Sequence, residues 1–311
     1  SEGENGEPIE LRTDNINAYL IPGKDIIVEG VSRPLGPQSK MFWGNKPTDG
    51  GGLILDVEER RALIEKHPES RKFLFTFLGS QEMIQGDRRY CLWIDDENRA
   101  EAEEIPEIKR RIESVAAFRA ASKAAETRPA ANFPHRFRQI QAVAKGHTIA
   151  VPAVSSENRA YFTVGLTDRY TIHSNRNFTI YDAPLWNFAI ASSLMHQVWL
   201  GTVCARFETR YSYSNTIGWN ALPVPKLTEQ NKADLTACAE NILLAREAHF
   251  PATIADLYDP ETMPENLRRA HEENDETLER IYIGRRFKND TERLEKLFEL
   301  YTRMTGKGKA V

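Results

Sequence analysis

The sequence is short of the residues and patterns from which common active sites are built. Three cysteines occur in 311 residues. Cys91, Cys204 and Cys238 are odd in number and widely spaced, which excludes a disulfide scaffold and offers no zinc pair. The seven histidines form no H-x-x-x-H or H-x-H pair, so no zinc site is written locally. A phosphate loop is absent, since Gly306-Lys-Gly-Lys309 lacks the G-x-x-x-x-G-K-[ST] spacing, and no G-x-G-x-x-G follows a strand. No apolar run approaches the roughly 18 residues that cross a bilayer, and the acidic stretch Ser1 to Glu7 is unlike a signal peptide. The expectation is an intracellular, cytoplasmic protein without a membrane segment. A start at Ser fits a processed chain or a piece cut from something longer.

What is present is ordinary globular material: 41% hydrophobic and 28% charged residues, a balance far from disorder or a coiled coil. The length predicts two domains more readily than one. The net charge of −4 conceals an asymmetry. Residues 1–130 carry a net −5, residues 131–226 a net +5 and residues 227–311 a net −4. The middle block also holds 14 of the 29 aromatic residues. Such a basic, arginine-rich, aromatic block suits a polyanion, but scattered surface charge around an aromatic core gives the same balance.

Along the chain, Asp25 to Glu29 reads as a short strand and Gly44 to Gly51 as a loop in which several positions need glycine-like backbone angles. A helix is predicted from Asp56 to Lys66, capped by Asp56 and stopped at His67-Pro68. Arg89 to Ile94 reads as a strand. Two helices divided by Pro106 follow, the second with a stripe at Ile108, Ile112, Val115 and Phe118. In the middle block, Thr148 to Val154 and Ala160 to Val164 read as strands joined by a turn, with another near Phe178 to Tyr181. Leu185 to Cys204 reads as one long apolar helix, and Arg206 to Tyr213 as one extended stretch. After Thr228 the pattern is helical: Thr228 to Ala248, Pro264 to Tyr282 and Asp290 to Met304. The fold class is therefore α+β, a mixed, mostly antiparallel sheet region over 131–226 followed by a helical C-terminal segment.

Candidate chemistry is sparse. Asp95, Glu107 and Lys109 imitate the carboxylate-plus-lysine set of metal-dependent nucleases, but Glu107 and Lys109 sit at a helix start, where a first-turn charge is favourable anyway. Ser155, Ser156 and Glu157 have no nearby histidine and suit a turn. No metal ligand set and no catalytic residue is assigned.

The motifs themselves resemble a known family. Met41-Phe-Trp-Gly-Asn-Lys-Pro-Thr-Asp-Gly-Gly51, Phe77-Leu-Gly-Ser-Gln-Glu82, Arg89-Tyr-Cys-Leu-Trp93, Pro152 to Arg159, Ser192-Ser-Leu-Met-His196 and Arg210 to Asn220 are similar, in order, to signatures of the MmeI-like DNA methyltransferases of type IIL restriction–modification systems. Leu257 to Pro264 and Phe298 to Tyr301 resemble that family's final helical region. The resemblance implies a target-recognition domain over 1–226 and a C-terminal helical domain over 227–311. Within the first, 1–130 would pack partly on a methyltransferase domain and 131–226 would read DNA. S-adenosylmethionine and adenine-N6 methyl transfer would belong to that methyltransferase domain, whose Asn-Pro-Pro-Tyr-type loop and glycine-rich loop this chain lacks. It further implies Glu208, Arg210, Ser212 and Arg176 as base-reading residues. On one extended stretch, Arg206, Glu208, Arg210 and Ser212 would share a face, with an ion-pair ladder as the competing account. Arg136, Arg138, Asn158, Arg159 and Arg206 are candidate contacts to the DNA backbone, and Asn175 and Asn177 either read adenine or cap their loop. Trp43 is equally an inter-domain packing residue. A protein-interaction or anti-restriction adaptor, and a nuclease, are the alternatives.

Overall fold

One serine and two tyrosine hydroxyls decide where regular structure stops in two stretches of this chain. The computed structural model describes residues 12–23, 25–156, 158–207 and 210–306, with the side chains of Arg206, Phe207 and Tyr211 left out of account. The strands are β1 (Phe42–Trp43), β2 (Ile54–Leu55), β3 (Leu74–Leu78), β4 (Arg89–Leu92), β5 (His147–Pro152), β6 (Val154–Ser155), β7 (Gly165–Asp168), β8 (Thr171–His173), β9 (Asn177–Tyr181), β10 (Arg206–Phe207) and β11 (Arg210–Ser212). The helices are α1 (Val57–Lys66), α2 (Ser80–Gln85), α3 (Arg99–Glu103), α4 (Pro106–Ala120), α5 (Trp186–Ala191), α6 (Leu194–Val203), α7 (Glu229–Glu247), α8 (Ile254–Leu257), α9 (Glu265–Ile283) and α10 (Asp290–Thr305). Among the described residues, all strand pairs are antiparallel except β3 with β8. The class is α+β, mixed and mostly antiparallel, with helices at the C-terminal end. The sheets are not confined to 131–226, because β1 to β4 come from the first third.

The chain divides into two compact units. One comprises Phe42–Ala150 and Gly165–Asp182, the other Ser1–Met41, Val151–Val164 and Ala183–Val311. The helices after residue 227 thus share a unit with 183–226, so the division by packing cuts across a boundary at 226.

In the first unit, the sheet ordered β2-β4-β3-β8 packs with helices α1 and α4, and a second sheet is ordered β1-β9-β5-β7. Asp56 caps α1 by accepting from Glu59 N at 2.8 Å, and Glu59 returns the bond to Asp56 N at 3.1 Å, a reciprocal box that satisfies two end amides. Pro106 opens α4. Ile108, Ile112 and Val115 lie on one face by helical spacing and are buried with Leu53, Phe77, Leu92 and Ile172. Burying each such side chain contributes about 1.5–3 kcal/mol. The expected fourth member of the stripe departs: Phe118 is 47% exposed and Arg119 takes the inner place at 0%. The Phe118 ring lies over Gly50, whose φ of +62° suits glycine and where a Cβ would come within 2.7 Å of that ring.

The second unit packs α5 on α7 and α7 on α9, with α10 against α6. Trp199 is fully buried, with the Phe298 and Tyr301 rings 5.5 and 5.9 Å away. Four expectations fail here, each for a local reason. Asp25 to Glu29 forms no strand, because Val28 N donates to the Tyr19 hydroxyl and Glu29 N to the Tyr301 hydroxyl rather than to a ladder. Ala160 to Val164 is also unpaired: Val164 N turns back on Phe162 O, and Val164 O accepts from Arg246 at 2.7 Å. The helix expected from Leu185 to Cys204 is two helices. Ser193 leaves helical angles, accepts from His196 N and donates to Ile190 O, the competition with the backbone that makes serine a cap. Lastly, Arg206 to Tyr213 is a hairpin, with Arg206 opposite Tyr211 and Phe207 opposite Arg210. Arg206, opposite Tyr211, therefore does not share the face of Arg210 and Ser212 as expected, and Glu208 lies outside the described residues.

Candidate functional site

Arg176 stands on a turn with unusually complete backbone support. Asn177 N donates to Ser174 O at 2.9 Å, so Asn175 and Arg176 are the two central residues between β8 and β9. Arg176 is exposed. The segment after β1 lies along this turn: Gly44 N donates to Asn177 O, Asn45 N to His173 O, and Asn175 N to Asn45 O, at 2.9, 2.8 and 2.9 Å. That approach needs Gly44, where a Cβ would sit 2.0 Å from Ser174 O. The Trp43 indole N–H donates to Asn175 O at 2.8 Å, while its ring meets Phe178 edge-on at 4.5 Å. Ser80 Oγ donates to Arg176 O and lies 2.9 Å from Asn177 Oδ1.

Beneath the turn runs a buried polar chain. Asn177 Nδ2 donates to Leu78 O at 3.3 Å and to His173 Nδ1 at 3.1 Å, and His173 Nε2 meets Thr167 Oγ1 at 2.8 Å. Burial lowers the His173 pKa to about 4, so the ring is neutral at pH 7, with Nδ1 accepting and the proton on Nε2. Asn177 is fully buried and holds the turn; it does not face solvent as a base reader. Of residues 175–177, Arg176 alone is exposed.

Arg210 and Ser212 belong to the other unit, on β11. This strand pairs with β10 on one side and β6 on the other, with Ser212 opposite Val154 and Tyr211 opposite Ser155. Opposed residues share a face, so Arg210, Ser212 and Val154 lie on one side of the small sheet. Arg210 is exposed and Val154 is 40% exposed, whereas Ser155 on the other face is buried. The strand is anchored by Tyr213, whose N–H donates to Ala153 O and whose hydroxyl meets His196 Nε2 at 3.0 Å. His196 Nδ1 lies 2.8 Å from Ala191 O, and burial takes its pKa to about 4. Glu208 lies outside the described residues, and Arg206 is placed by its backbone alone.

Asn158 and Arg159 border a cavity of about 200 Å³ with Tyr258, Asp259, Met263 and Arg268. Asn158 is exposed and Arg159 half-buried. Burial pulls the Arg159 guanidinium below its usual pKa, with Asp259 opposing the shift. In the first unit, Arg136 pairs with Asp96 at 2.9 Å and lies over the Phe133 ring. Arg138 reaches Glu126 O at 3.3 Å. Their loop is tied down by Arg119, which donates to the carbonyls of Thr48, Ala130, Phe133, Pro47 and Arg136 at 2.7–3.1 Å. No pattern reading picks out Arg119, Ser80 or the Trp43 hydrogen bond, because every partner is distant in sequence.

The nuclease-like set has one of its two carboxylates already paired. Glu107 is engaged by Lys66 and lies 2.7 Å from His67 Nε2, and among the described residues no group of His, Cys, Asp or Glu could hold a metal ion. Among them, too, no helix is long and apolar enough to cross a membrane.

Comparison with known proteins gives this arrangement a family. The profile of the MmeI target recognition domain matches residues 22–226, and that of the MmeI C-terminal domain matches 227–307. The chain belongs to the MmeI family. DNA methyltransferase A of Bacillus subtilis (strain 168) is 38% identical over 291 residues, which is 94% of this chain and 33% of that protein. A solved structure of the type IIL restriction–modification enzyme MmeI in complex with DNA matches at a TM-score of 0.88 and 35% identity, covering 97% of this chain and 40% of that one. The chain thus spans between a third and two fifths of the length of these MmeI-family relatives.

Proposed function

We propose that this chain is the sequence-reading module of a larger S-adenosylmethionine-dependent DNA adenine-N6 methyltransferase of the restriction–modification type, acting on double-stranded DNA in a prokaryotic cytoplasm. The observation that carries the reading is the likeness, over 97% of the chain, to a structure of MmeI in complex with DNA. The site geometry supports it. Arg176 and Arg210 are exposed arginines on a supported turn and on a sheet face, and a guanidinium reads guanine O6 and N7 with two parallel N–H donors. Ser212 donates to or accepts from either kind of base edge, and Glu208 accepts from a cytosine amino group. Arg138, Arg159, Asn158, Arg206 and Arg136 hold the phosphates, Arg136 only by exchanging its Asp96 partner. Methyl transfer and the flipping of adenine need a cofactor loop and an aromatic clamp that belong to a methyltransferase domain, the partner of residues 1–130 in this reading. Residues 227–311 form the helical domain that accompanies residues 1–226.

The test is selection of bound duplexes from a randomised pool by the chain at low salt, where phosphate contacts are strongest. Arg210→Ala is expected to relax preference at one base position by about tenfold, the range of a single bidentate contact. Arg138→Ala is expected to weaken all sequences alike and to lower the salt slope by about one. Uniform weakening by Arg210→Ala would remove Arg210 from the reading set.

A further inference from the structure

Arg176 gains its geometry from a residue outside every recognition role assigned so far. An arginine that reads two guanine acceptors must hold its guanidinium within about 0.5 Å and 10–20° of the productive position. A turn is a poor platform for that, since exposed connections are the mobile part of a fold. Here the turn carbonyls are tied one by one: Asn177 O by Gly44 N, His173 O by Asn45 N, Arg176 O by Ser80 Oγ, and Asn175 O by the Trp43 indole. The first two ties are backbone bonds, the first of them open only to glycine at position 44. The Trp43 tie depends on one side chain, and its acceptor is the carbonyl of the peptide unit that joins Asn175 to Arg176. At 46% exposure the ring is too open to be explained as core, and its fixed contact with Phe178 at 4.5 Å aims the N–H at that carbonyl. We infer that Trp43 is the positioning residue for Arg176, setting base preference at the position Arg176 reads without contacting that base itself. The inference rests on the reading of Arg176 as a base-contacting group.

Trp43→Phe separates the two roles of the indole, because a phenyl ring keeps the contact with Phe178 and cannot donate to Asn175 O. The experiment selects duplexes from a randomised pool with wild type, Trp43→Phe and Arg176→Ala, and records the melting temperature of each. Arg176→Ala is expected to abolish preference at one position and so to identify it. Trp43→Phe is expected to lower discrimination at that same position by at least about fivefold, the lower end of one bidentate contact. It should leave the other positions intact and hold the melting temperature within about 3 °C. Uniform weakening in Trp43→Phe, an unchanged motif, or relaxation at a different position overturns the inference while the Arg176 reading stands. An unchanged motif in Arg176→Ala, or a wild-type chain that selects no sequence, removes that reading and the inference with it.

Discussion

Arg119 shows how much a single charged side chain can organise without an ionic partner beside it. Each of its five N–H groups meets a backbone carbonyl, so a fully buried cation is satisfied by dipoles, and burial lowers its pKa while Asp49 opposes. Arg119→Lys keeps the charge and loses the planar fork. Lysine has three donors, which leaves at least two buried carbonyls unpaired at about 1–3 kcal/mol each. The expected loss is about 3–5 kcal/mol, measured as the change in unfolding free energy in urea, and a loss below about 1 kcal/mol would contradict the assignment. Pattern reading gave that inner position to Phe118, because a stripe read by hydrophobicity passes over an arginine whose partners lie up to 72 residues away. Arg176 was picked out as a candidate base reader through family resemblance. That Asn177 is its buried support was not legible, since an asparagine beside an arginine looks alike whether it reads or braces.

At the scale of elements, α9 and α6 are joined by a buried carboxylate. Asp275 on α9 accepts from Leu194 N at 2.8 Å, the first amide of α6, where the helix end favours negative charge. Burial nevertheless wins and raises the Asp275 pKa to about 7, against the Leu194 bond and with Glu279 adding to the rise. An acid whose folded pKa exceeds its unfolded value of about 3.9 contributes stability that is full below that value and is lost as pH rises toward 7. Asp275→Asn keeps an acceptor for Leu194 and removes the titration. Relative to wild type, the variant should gain about 2.6 kcal/mol of stability between pH 5 and pH 8. A difference independent of pH over that range would contradict the account. His173 and His196, both depressed to about 4, act in the opposite sense: their contribution is present above about 6.5 and is lost as pH falls toward 4. Both proteins carry these histidines, so the comparison isolates Asp275.

Most helices and several strands were legible, whereas two expected strands and many element ends were not. The capping box of α1, Pro106 at the start of α4 and the helices α7, α9 and α10 follow from local sequence. The α5–α6 break and the β10–β11 hairpin do not. The first needs Ser193 and Asp275 together, and the second needs β6 to pair with β11. Alternation over Arg206 to Tyr213 is the same in one strand as in two short ones.

For the whole molecule, the motifs and their order carried the family assignment, because they run through the chain in sequence and the profiles meet between residues 226 and 227. Packing was less legible: compact units made of interleaved stretches arise from contacts across more than a hundred residues, to which a linear reading is blind. The proposed division of labour gives each unit a reading group, Arg176 in one and Arg210 with Ser212 in the other. Specific protein–DNA recognition is distinguished from electrostatic adhesion by a preference of about 10³-fold or more over random sequence, whereas adhesion alone vanishes as salt rises. The decisive measurement is therefore enrichment from a randomised duplex pool by the wild-type chain at two salt concentrations. The account predicts a defined motif at both, with affinity falling and base preference retained as salt increases. Retention of all sequences alike at low salt, lost together at high salt, would contradict it.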